Sequence, residues 1–320
     1  MMIRCSLGTA KVLGLKKVKV DALPTTAYLM VGEHCRFNCA FCAQARESSA
    51  RADLLSRVSW PNFEEEEFLQ GLTLSQAQAG LKRICFQVVQ DKAALEETKD
   101  WVKSVQRKTQ LPICVSAGPR TLEDVKELLD LGVDHVSIAL DAATPEVYVK
   151  MKDGSWDARF SLLRQSAERF PGRIATHLIV GLGESEEEMV KCIQSMYDQG
   201  VTVALFAFTP VKGTRMEGLP QPEMTHYRRV QAAHDLIRKG LARSEQFIFS
   251  EGRLVSYGIS VDSLQEKRGG EPFQTSGCSG CNRPYYNETP GEDLYNYPRE
   301  LTFEEIERAW AQVREKLISE

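Results

Sequence analysis

Short apolar runs alternate with longer amphipathic stretches along most of this 320-residue chain. Such alternation is typical of an α/β protein in which helices pack on a mostly parallel sheet. We count about eight strands, which favours a (β/α)8 barrel of the TIM type over an open doubly wound sheet. The predicted strands are 25–31, 83–89, 111–118, 133–141, 173–183, 201–208, 246–252 and 257–262. The predicted helices are 63–82, 92–107, 121–132, 144–169, 185–200, 222–241 and 302–318.

No linker divides the chain, so we expect one domain over residues 1–320. It comprises an N-terminal extension (1–24), the barrel, a C-terminal coil (263–300) and a terminal helix (301–320). A coil of that length is uncommon unless it has a function or binds something. In barrels of this kind the active-site residues lie at the carboxyl ends of the strands and in the loops that follow them.

Composition excludes several classes of protein. The chain is 42% hydrophobic and 26% charged, as expected for a globular enzyme, and its net charge of −4 gives no general attraction to nucleic acid. No apolar run approaches the ~18–20 residues that span a bilayer, and the first 20 residues are too polar for a signal peptide. We therefore expect a cytoplasmic protein, in which nine cysteines indicate metal or catalytic chemistry more than disulfides.

Three of these cysteines lie in the stretch EHCRFNCAFCAQ (33–44), in the loop after the first predicted strand. Three thiolates on one loop can bind three irons of a 4Fe–4S cluster and leave the fourth iron open to another ligand. The alternative is a zinc site that adds His34. Zinc knuckles pair two separated ligand pairs, so the pattern of Cys35, Cys39 and Cys42 favours the cluster.

This C-x3-C-x2-C spacing resembles that of the radical S-adenosylmethionine (SAM) superfamily. The resemblance implies that the amine and carboxylate of SAM occupy the open iron and that an electron then cleaves SAM to a 5′-deoxyadenosyl radical. Cys35, Cys39 and Cys42 would be catalytic in that sense, and Phe41 would lie near adenine. A ferredoxin- or flavodoxin-type partner would supply the electron.

Further segments, from about Thr25 to Glu288, resemble the biotin synthase-like branch of that superfamily. They are LIVGLGESEEE (178–188), the Leu140–Asp141 pair, VKGT (211–214) and SEGR (250–253). The resemblance implies that Asp141 binds the ribose hydroxyls of SAM and that Glu184 helps to shape the SAM site. Arg253 is placed to meet a carboxylate of SAM or substrate.

Biotin synthases hold a second, sacrificial cluster with three cysteines and an arginine. This chain keeps two of the cysteine positions but has Ala175 and Ile248 at the other two. The coil, however, supplies CSGC (278–281). We therefore expect an auxiliary cluster of the 4Fe–4S type with four ligands, unless the two strand cysteines are core residues and CSGC binds zinc alone. The four predicted ligands are Cys85, Cys114, Cys278 and Cys281.

The predicted substrate pocket also departs from the biotin synthase pattern. Ser137, Ala139 and Phe206 stand where that branch has amide side chains that bind a ureido ring, and burying the ring without partners would be costly. A small and aromatic lining suits an alkyl chain instead. These features, with CSGCNRPYYNE (278–288), resemble the subunits of the two-component lipoyl synthase. Those subunits insert sulfur into an octanoyl chain on a carrier-protein lysine.

That resemblance implies an octanoylated lipoyl carrier protein or domain and a second paralogous radical SAM subunit as partners. His177 lies inside the fifth predicted strand, and the sequence leaves open whether it faces the cavity or the helix layer. Three alternatives remain. The first is a biotin synthase variant, in which Ser137, His177 and Thr209 would bind the ureido head. The second is a hydrogenase-maturase or methylornithine-type enzyme. The third is a non-catalytic cluster-bearing partner.

Overall fold

A computed structural model describes residues 2–74, 80–288 and 293–317. The six predicted strands between residues 25 and 208 are confirmed to within a few residues, because each is a buried apolar run bounded by polar turns. The strands are β1 (Met2–Cys5), β2 (Thr26–Val31), β3 (Leu54–Leu55), β4 (Val58–Ser59), β5 (Asn62–Glu64), β6 (Arg83–Val88), β7 (Ile113–Ala117), β8 (His135–Ile138), β9 (Ile174–Val180), β10 (Thr202–Ala207), β11 (Ile248–Ser250) and β12 (Arg253–Ser256).

Eight of these strands form one sheet in the order β10-β9-β8-β7-β6-β2-β1-β5, so the α/β class with an eight-stranded sheet is confirmed. The run from β2 to β10 is parallel, which places six carboxyl ends on one edge. The short strands β1 and β5 add antiparallel pairs at the β2 side. No pairing between β5 and β10 closes the sheet within the described ranges.

Helices cross between the parallel strands and cover the outer face of the sheet. Several begin at caps that the sequence displays: Ser185 and Glu188 form a reciprocal capping box, as do Thr121 and Asp124. The α-helices span Leu7–Val12, Glu65–Gly71, Ala94–Gln106, Leu122–Asp130, Pro145–Met151, Trp156–Arg169, Glu186–Asp198, Met224–Arg238, Val261–Arg268 and Phe303–Arg314. None of the described helices has the length and apolarity needed to cross a membrane.

The prediction was wrong for the last two strands. Strands β11 and β12 pair with each other as a separate antiparallel hairpin, and 257–262 runs instead into the helix Val261–Arg268. The cause lies in the turn between them, where Glu251 and Gly252 both have positive φ values of 51° and 76°. Two successive left-handed residues make the tight turn that folds two strands back on each other.

Other boundaries also differ from the sequence prediction. The predicted helix 144–169 is two helices, and the predicted helix 63–82 ends at Gly71; residues 75–79 lie outside the described ranges. Residues 2–12 of the predicted extension contribute β1 and a helix to the fold. The predicted coil 263–300 begins with helix, while residues 289–292 and 318–320 of the predicted C-terminal segments lie outside the described ranges.

The rest of the described coil closes the amino-terminal end of the sheet. We call residues 274–288 the plug. The carbonyl of Gly280 accepts a hydrogen bond from Thr25 Oγ1 (2.7 Å), and Asn282 Oδ1 accepts one from the Thr25 backbone N–H (2.9 Å). Arg83, at the start of β6, donates through Nε to the Ser279 carbonyl (2.9 Å). The plug is thus bound to the beginnings of β2 and β6.

Candidate functional site

The loop that carries the first three cysteines follows β2 and is fixed by contacts from distant loops. Gly213, after β10, accepts a hydrogen bond from the Ser49 N–H (2.9 Å). Arg215 Nη2 donates to the Asn38 carbonyl (2.8 Å), and the Asn38 N–H donates to Asp153 (2.5 Å). These bonds hold the ends and the middle of the loop against the carboxyl edge of the sheet.

Cys35, Cys39 and Cys42 all line one cavity at this edge, which we call the upper cavity. Burial raises the pKa of Cys39 and raises that of Cys42 to about 12, so binding of a metal cluster would release protons from these thiols. Three thiols that line one cavity can serve as ligands of an iron–sulfur cluster.

Asp141, three residues after β8, lines the same cavity, and its binding of the ribose of SAM stays a prediction. Its backbone φ is +65°, and its N–H donates to the His177 carbonyl (2.8 Å), so the neighbouring strand β9 holds the turn. The buried Lys152 donates to the Asp141 carboxylate (2.5 Å) and to the Ala139 carbonyl (2.9 Å). Lys152, which sequence reasoning missed, orients the carboxylate.

Glu184 and Arg253 line neither this cavity nor the second cavity that lies between it and the plug. The Glu184 carboxylate accepts hydrogen bonds from the N–H groups of Gly181 (2.7 Å) and Leu182 (3.0 Å) and so fixes the loop after β9. Burial raises its pKa to about 7. A role for Glu184 in shaping the SAM site stays a prediction. A direct role for Arg253 in cofactor binding stays a prediction.

A second cavity, which we call the inner cavity, lies between the upper cavity and the plug. Cys42, Asp141 and His177 line both cavities, so the two adjoin each other. Phe41, predicted to lie near adenine, is part of the inner wall. The inner cavity is also lined by all four predicted auxiliary ligands, Cys85, Cys114, Cys278 and Cys281.

Strand register and the plug bring these four thiols together. Cys85 and Cys114 are direct partners in the parallel pairing of β6 and β7. Cys114 Sγ lies 3.3 Å from Cys278 Sγ, and the Cys281 N–H donates to the Cys278 carbonyl (3.1 Å) in a tight turn. The Cys114–Cys278 hydrogen bond lowers the pKa of Cys278 to about 6 and raises that of Cys114 well above its usual range. Two pairs of thiols that meet on one cavity wall fit a four-cysteine iron–sulfur cluster.

Arg83 is a functional candidate that sequence reasoning missed. Its Nη1 donates to Cys114 Sγ (2.7 Å) and to Asp134 Oδ2 (2.8 Å), and its side chain is 5% exposed. Cys114, Asp134 and His135 have ligand atoms within 4.8 Å of one another, the spacing of a metal site. The guanidinium already provides the positive charge there. The only sequence signal was a charged residue at the start of a strand that is otherwise apolar.

The predicted substrate residues divide between the two cavities. Ser137, His177 and Phe206 line the inner cavity, whereas Ala139 lines the upper one. The structure therefore places His177 toward the cavity and not the helix layer. Its Nε2 lies 3.3 Å from Ser137 Oγ and its ring packs edge-on against Phe206 at 5.2 Å. Burial lowers its pKa to about 4, so the imidazole is neutral at pH 7.

The plug adds lining residues that no spacing in the sequence revealed. The Arg283 guanidinium lies 3.9 Å above the Phe206 ring and donates to the Ser276 carbonyl (2.8 Å). The Tyr28 hydroxyl contacts Cys281 Sγ (3.2 Å) and accepts the Arg283 N–H (2.7 Å). Tyr286 also lines the inner cavity.

A family model for the radical SAM superfamily matches residues 29–196, which is more than half of the chain. The chain therefore belongs to the radical SAM superfamily, and this membership implies a 4Fe–4S cluster and SAM as cofactors. The matched range includes the three loop cysteines, Asp141 and Glu184.

Among curated proteins the chain is similar to biotin synthases from Magnetococcus marinus (24% identical over 193 residues, 59% of this chain and 58% of the relative) and Aquifex aeolicus (25% over 195 residues, 59% and 57%). The chain thus matches little more than half the length of these relatives. Among solved structures it resembles the FeFe-hydrogenase maturase HydG from Carboxydothermus hydrogenoformans (TM-score 0.53, 18% identity, 67% of this chain and 51% of that chain). At this identity the likeness shows the fold.

Proposed function

We propose that the protein inserts sulfur into an unactivated C–H bond of a protein-bound octanoyl chain, as a component of a two-component lipoyl synthase. One observation carries the proposal: four cysteines line the inner cavity, which adjoins the cavity of the SAM-type cysteine loop. A substrate in the inner cavity would lie between the radical source and a possible sulfur source. Membership of the superfamily accounts for the radical source but not for the sulfur source.

Residues of this chain would hold the two groups in adjoining cavities. Cys35, Cys39 and Cys42 would bind the first cluster, with Asp141 oriented by Lys152 toward SAM. Cys85, Cys114, Cys278 and Cys281 would bind the auxiliary cluster. When bound, these groups supply a carbon-centred radical that removes a hydrogen atom and a sulfide that replaces it.

The cavity lining supports an alkyl substrate. Ser137 and His177 are partners of each other, which reduces their capacity to bind a ureido ring, and Phe206 has no polar atom to offer. Each buried methylene of an acyl chain contributes roughly 0.8 kcal/mol. Each unpaired polar atom of a ureido ring would cost about 1–3 kcal/mol.

A biotin synthase variant is the second candidate, because the relatives named above are biotin synthases. The Thr209 hydroxyl, which would have to help bind the ureido head, lines the inner cavity but contacts the Ala207 carbonyl (3.3 Å) and Asn287 Nδ2 (3.2 Å). Those contacts reduce its capacity to bind another group.

The proposed partners follow from the same chemistry. An octanoylated lipoyl carrier protein or domain would present the substrate, and a ferredoxin- or flavodoxin-type protein would deliver the electron. A second, paralogous radical SAM subunit would complete the reaction if this chain adds only one of the two sulfur atoms.

The test offers octanoyl-lysyl peptide and dethiobiotin in parallel to the anaerobically reconstituted protein with SAM and a reductant. Mass spectrometry then follows sulfur gain in each. We expect a mono-thiolated octanoyl product and no biotin. Conversion of dethiobiotin with the octanoyl peptide left intact would replace the proposal with the biotin synthase variant.

A further inference from the structure

An apolar groove on the surface lies beside the inner cavity. It is bordered by the β3–β4 hairpin, the loop after β10 and the end of the plug, and its lining includes Val20, Pro24, Val58, Val211 and Tyr285. Its apolar lining makes it a candidate path for an apolar ligand.

The groove and the inner cavity share a wall made of Tyr28, Ser56 and Tyr286. Ser56, at φ +52°, donates through Oγ to the Tyr286 carbonyl (2.5 Å), so the hairpin and the plug are joined at this wall. A ligand that entered from the groove would reach the cavity by passing these three residues.

Tyr286 differs from the other residues of this wall. Its side chain packs against Tyr28 (5.6 Å between ring centroids), Trp60 (6.2 Å) and Phe206 (6.5 Å), and the residue is 7% exposed. Its hydroxyl is nevertheless without a hydrogen-bond partner among the described residues. The Tyr28 hydroxyl, in contrast, has two partners. Because buried polar groups are nearly always paired, this phenol has a donor capacity that an acceptor on a ligand would satisfy.

We propose that the acyl chain enters through this groove and that the Tyr286 hydroxyl donates a hydrogen bond to the amide carbonyl of the acyl-lysine. This inference rests on the proposed function. An acyl chain on lysine has a single polar group, the amide, and an apolar tail. With the tail in the inner cavity, the amide lies at the junction with the groove, where Tyr286 has the only unpaired side-chain donor among the described residues of the shared wall.

The experiment measures binding to the reconstituted holoprotein by calorimetry, so it does not depend on turnover. The ligands are an octanoyl-lysyl peptide and an analogue in which two methylene groups replace the amide. We expect Tyr286→Phe to weaken binding of the octanoyl peptide about three- to tenfold and to leave binding of the analogue within about twofold. Tyr197→Phe is the matched control, since that hydroxyl pairs with His234 away from both cavities. It should not discriminate between the ligands.

Each other outcome has a defined meaning. Equal loss for both ligands in Tyr286→Phe, or no loss for either, overturns the inference while the proposed function stands. A changed absorption spectrum of the clusters in Tyr286→Phe with unchanged peptide binding also overturns it, because the hydroxyl then serves a cluster. Absence of peptide binding to the wild-type protein overturns the proposed function itself.

Discussion

Glu184 is a carboxyl group buried beneath the loop that follows β9. Burial raises its pKa from 4.5 to about 7, although the N–H groups of Gly181 and Leu182 favour the charged form. Between pH 4.5 and 7 this carboxyl is therefore protonated in the folded state but ionised in the unfolded state. The stabilising contribution of the neutral form is complete below pH 4.5 and is lost as the pH rises through 7.

Glu184→Gln should accordingly have an effect that depends on pH. The amide resembles the protonated acid, so the variant escapes the cost of ionisation that the wild-type protein bears at high pH. We expect the difference in free energy of unfolding between wild type and variant to shift by about 2–3 kcal/mol in favour of the variant from pH 5 to pH 8. Urea unfolding at the two pH values measures this shift, and a constant difference would contradict it.

The N–H groups of Arg83 reach both a thiol and the plug. Arg83→Met removes the donors to Cys114 Sγ and to the Ser279 carbonyl. Groups that bond to metal ligands typically affect metal affinity by 10–100-fold. We expect iron at the auxiliary site to be lost to a chelator about tenfold faster than in the wild-type protein.

Arg173→Met provides the control for that experiment. Arg173 donates to the Asp134 and Val133 carbonyls at the same edge of the sheet, but the structure gives it no bond to a thiol. Iron release in this variant should match the wild type. Equal acceleration in both variants would mean that loss of charge at this edge, and not the bond to sulfur, controls release.

At the scale of elements, Gly213 joins the loop after β10 to the cysteine loop. Its φ is +90°, and an added Cβ atom would lie 2.4 Å from the Ala50 nitrogen. The two loops touch through their backbones, and only glycine allows this approach.

Gly213→Ala should therefore loosen the cysteine loop. We expect a loss of at least about 1–2 kcal/mol in stability from the left-handed backbone alone, and lower iron content after reconstitution. Gly218→Ala is the control, because a Cβ there meets nothing within 4 Å. Thermal unfolding and iron analysis report both effects, and normal values for Gly213→Ala would show that the contact does not position the loop.

The elements that were predictable from sequence are those whose signal is local. The helix Glu186–Asp198 followed from Ser185 as its N-cap, acidic residues in its first turn and Gly200 after its end, and β6 followed from an apolar run. In contrast, the four-residue strand β1 has no distinctive pattern and forms because β2 and β5 pair with it. The β11–β12 hairpin was missed because residues 246–252 resemble one strand, whereas the left-handed residues Glu251 and Gly252 turn the chain back at its end.

The same distinction applies to the candidate site. The cysteine triplet lies within eight residues, so its spacing alone indicated a cluster. Pairing of Cys85 with Cys114 was expected from resemblance to a branch of known enzymes, and the β6–β7 register places them side by side. The contact of Arg83 with Cys114 and the position of Tyr286 depend on strand register and plug placement, which no local pattern encodes.

On the scale of the whole molecule, the two groups of cysteines line adjoining cavities, and Cys42 lines both of them. We expect joint replacement of Cys35, Cys39 and Cys42 by Ala to abolish cleavage of SAM while iron remains at the auxiliary site. Iron analysis and absorption spectroscopy measure what remains. Complete loss of iron would mean that the four-cysteine site is absent or depends on the first.

The reciprocal variant should keep cleavage of SAM and lose sulfur transfer. Cys278→Ala removes one auxiliary ligand but leaves the upper cavity unchanged, so we expect SAM cleavage at near wild-type rate and at least about a tenfold loss of thiolated product. Cys192→Ala, on the helix Glu186–Asp198 away from both cavities, is the control. A normal yield of thiolated product from Cys278→Ala would exclude CSGC as the sulfur source.

The plug has a further consequence for how the protein is made. Its hydrogen bonds to Thr25 join residues separated by 255 and 257 positions, so they form only after residue 282 has left the ribosome. Until then the nascent sheet would expose Cys85 and Cys114 at an open end. Delivery of the proposed auxiliary cluster would therefore be easiest before the plug folds, and closure of the plug would then enclose it.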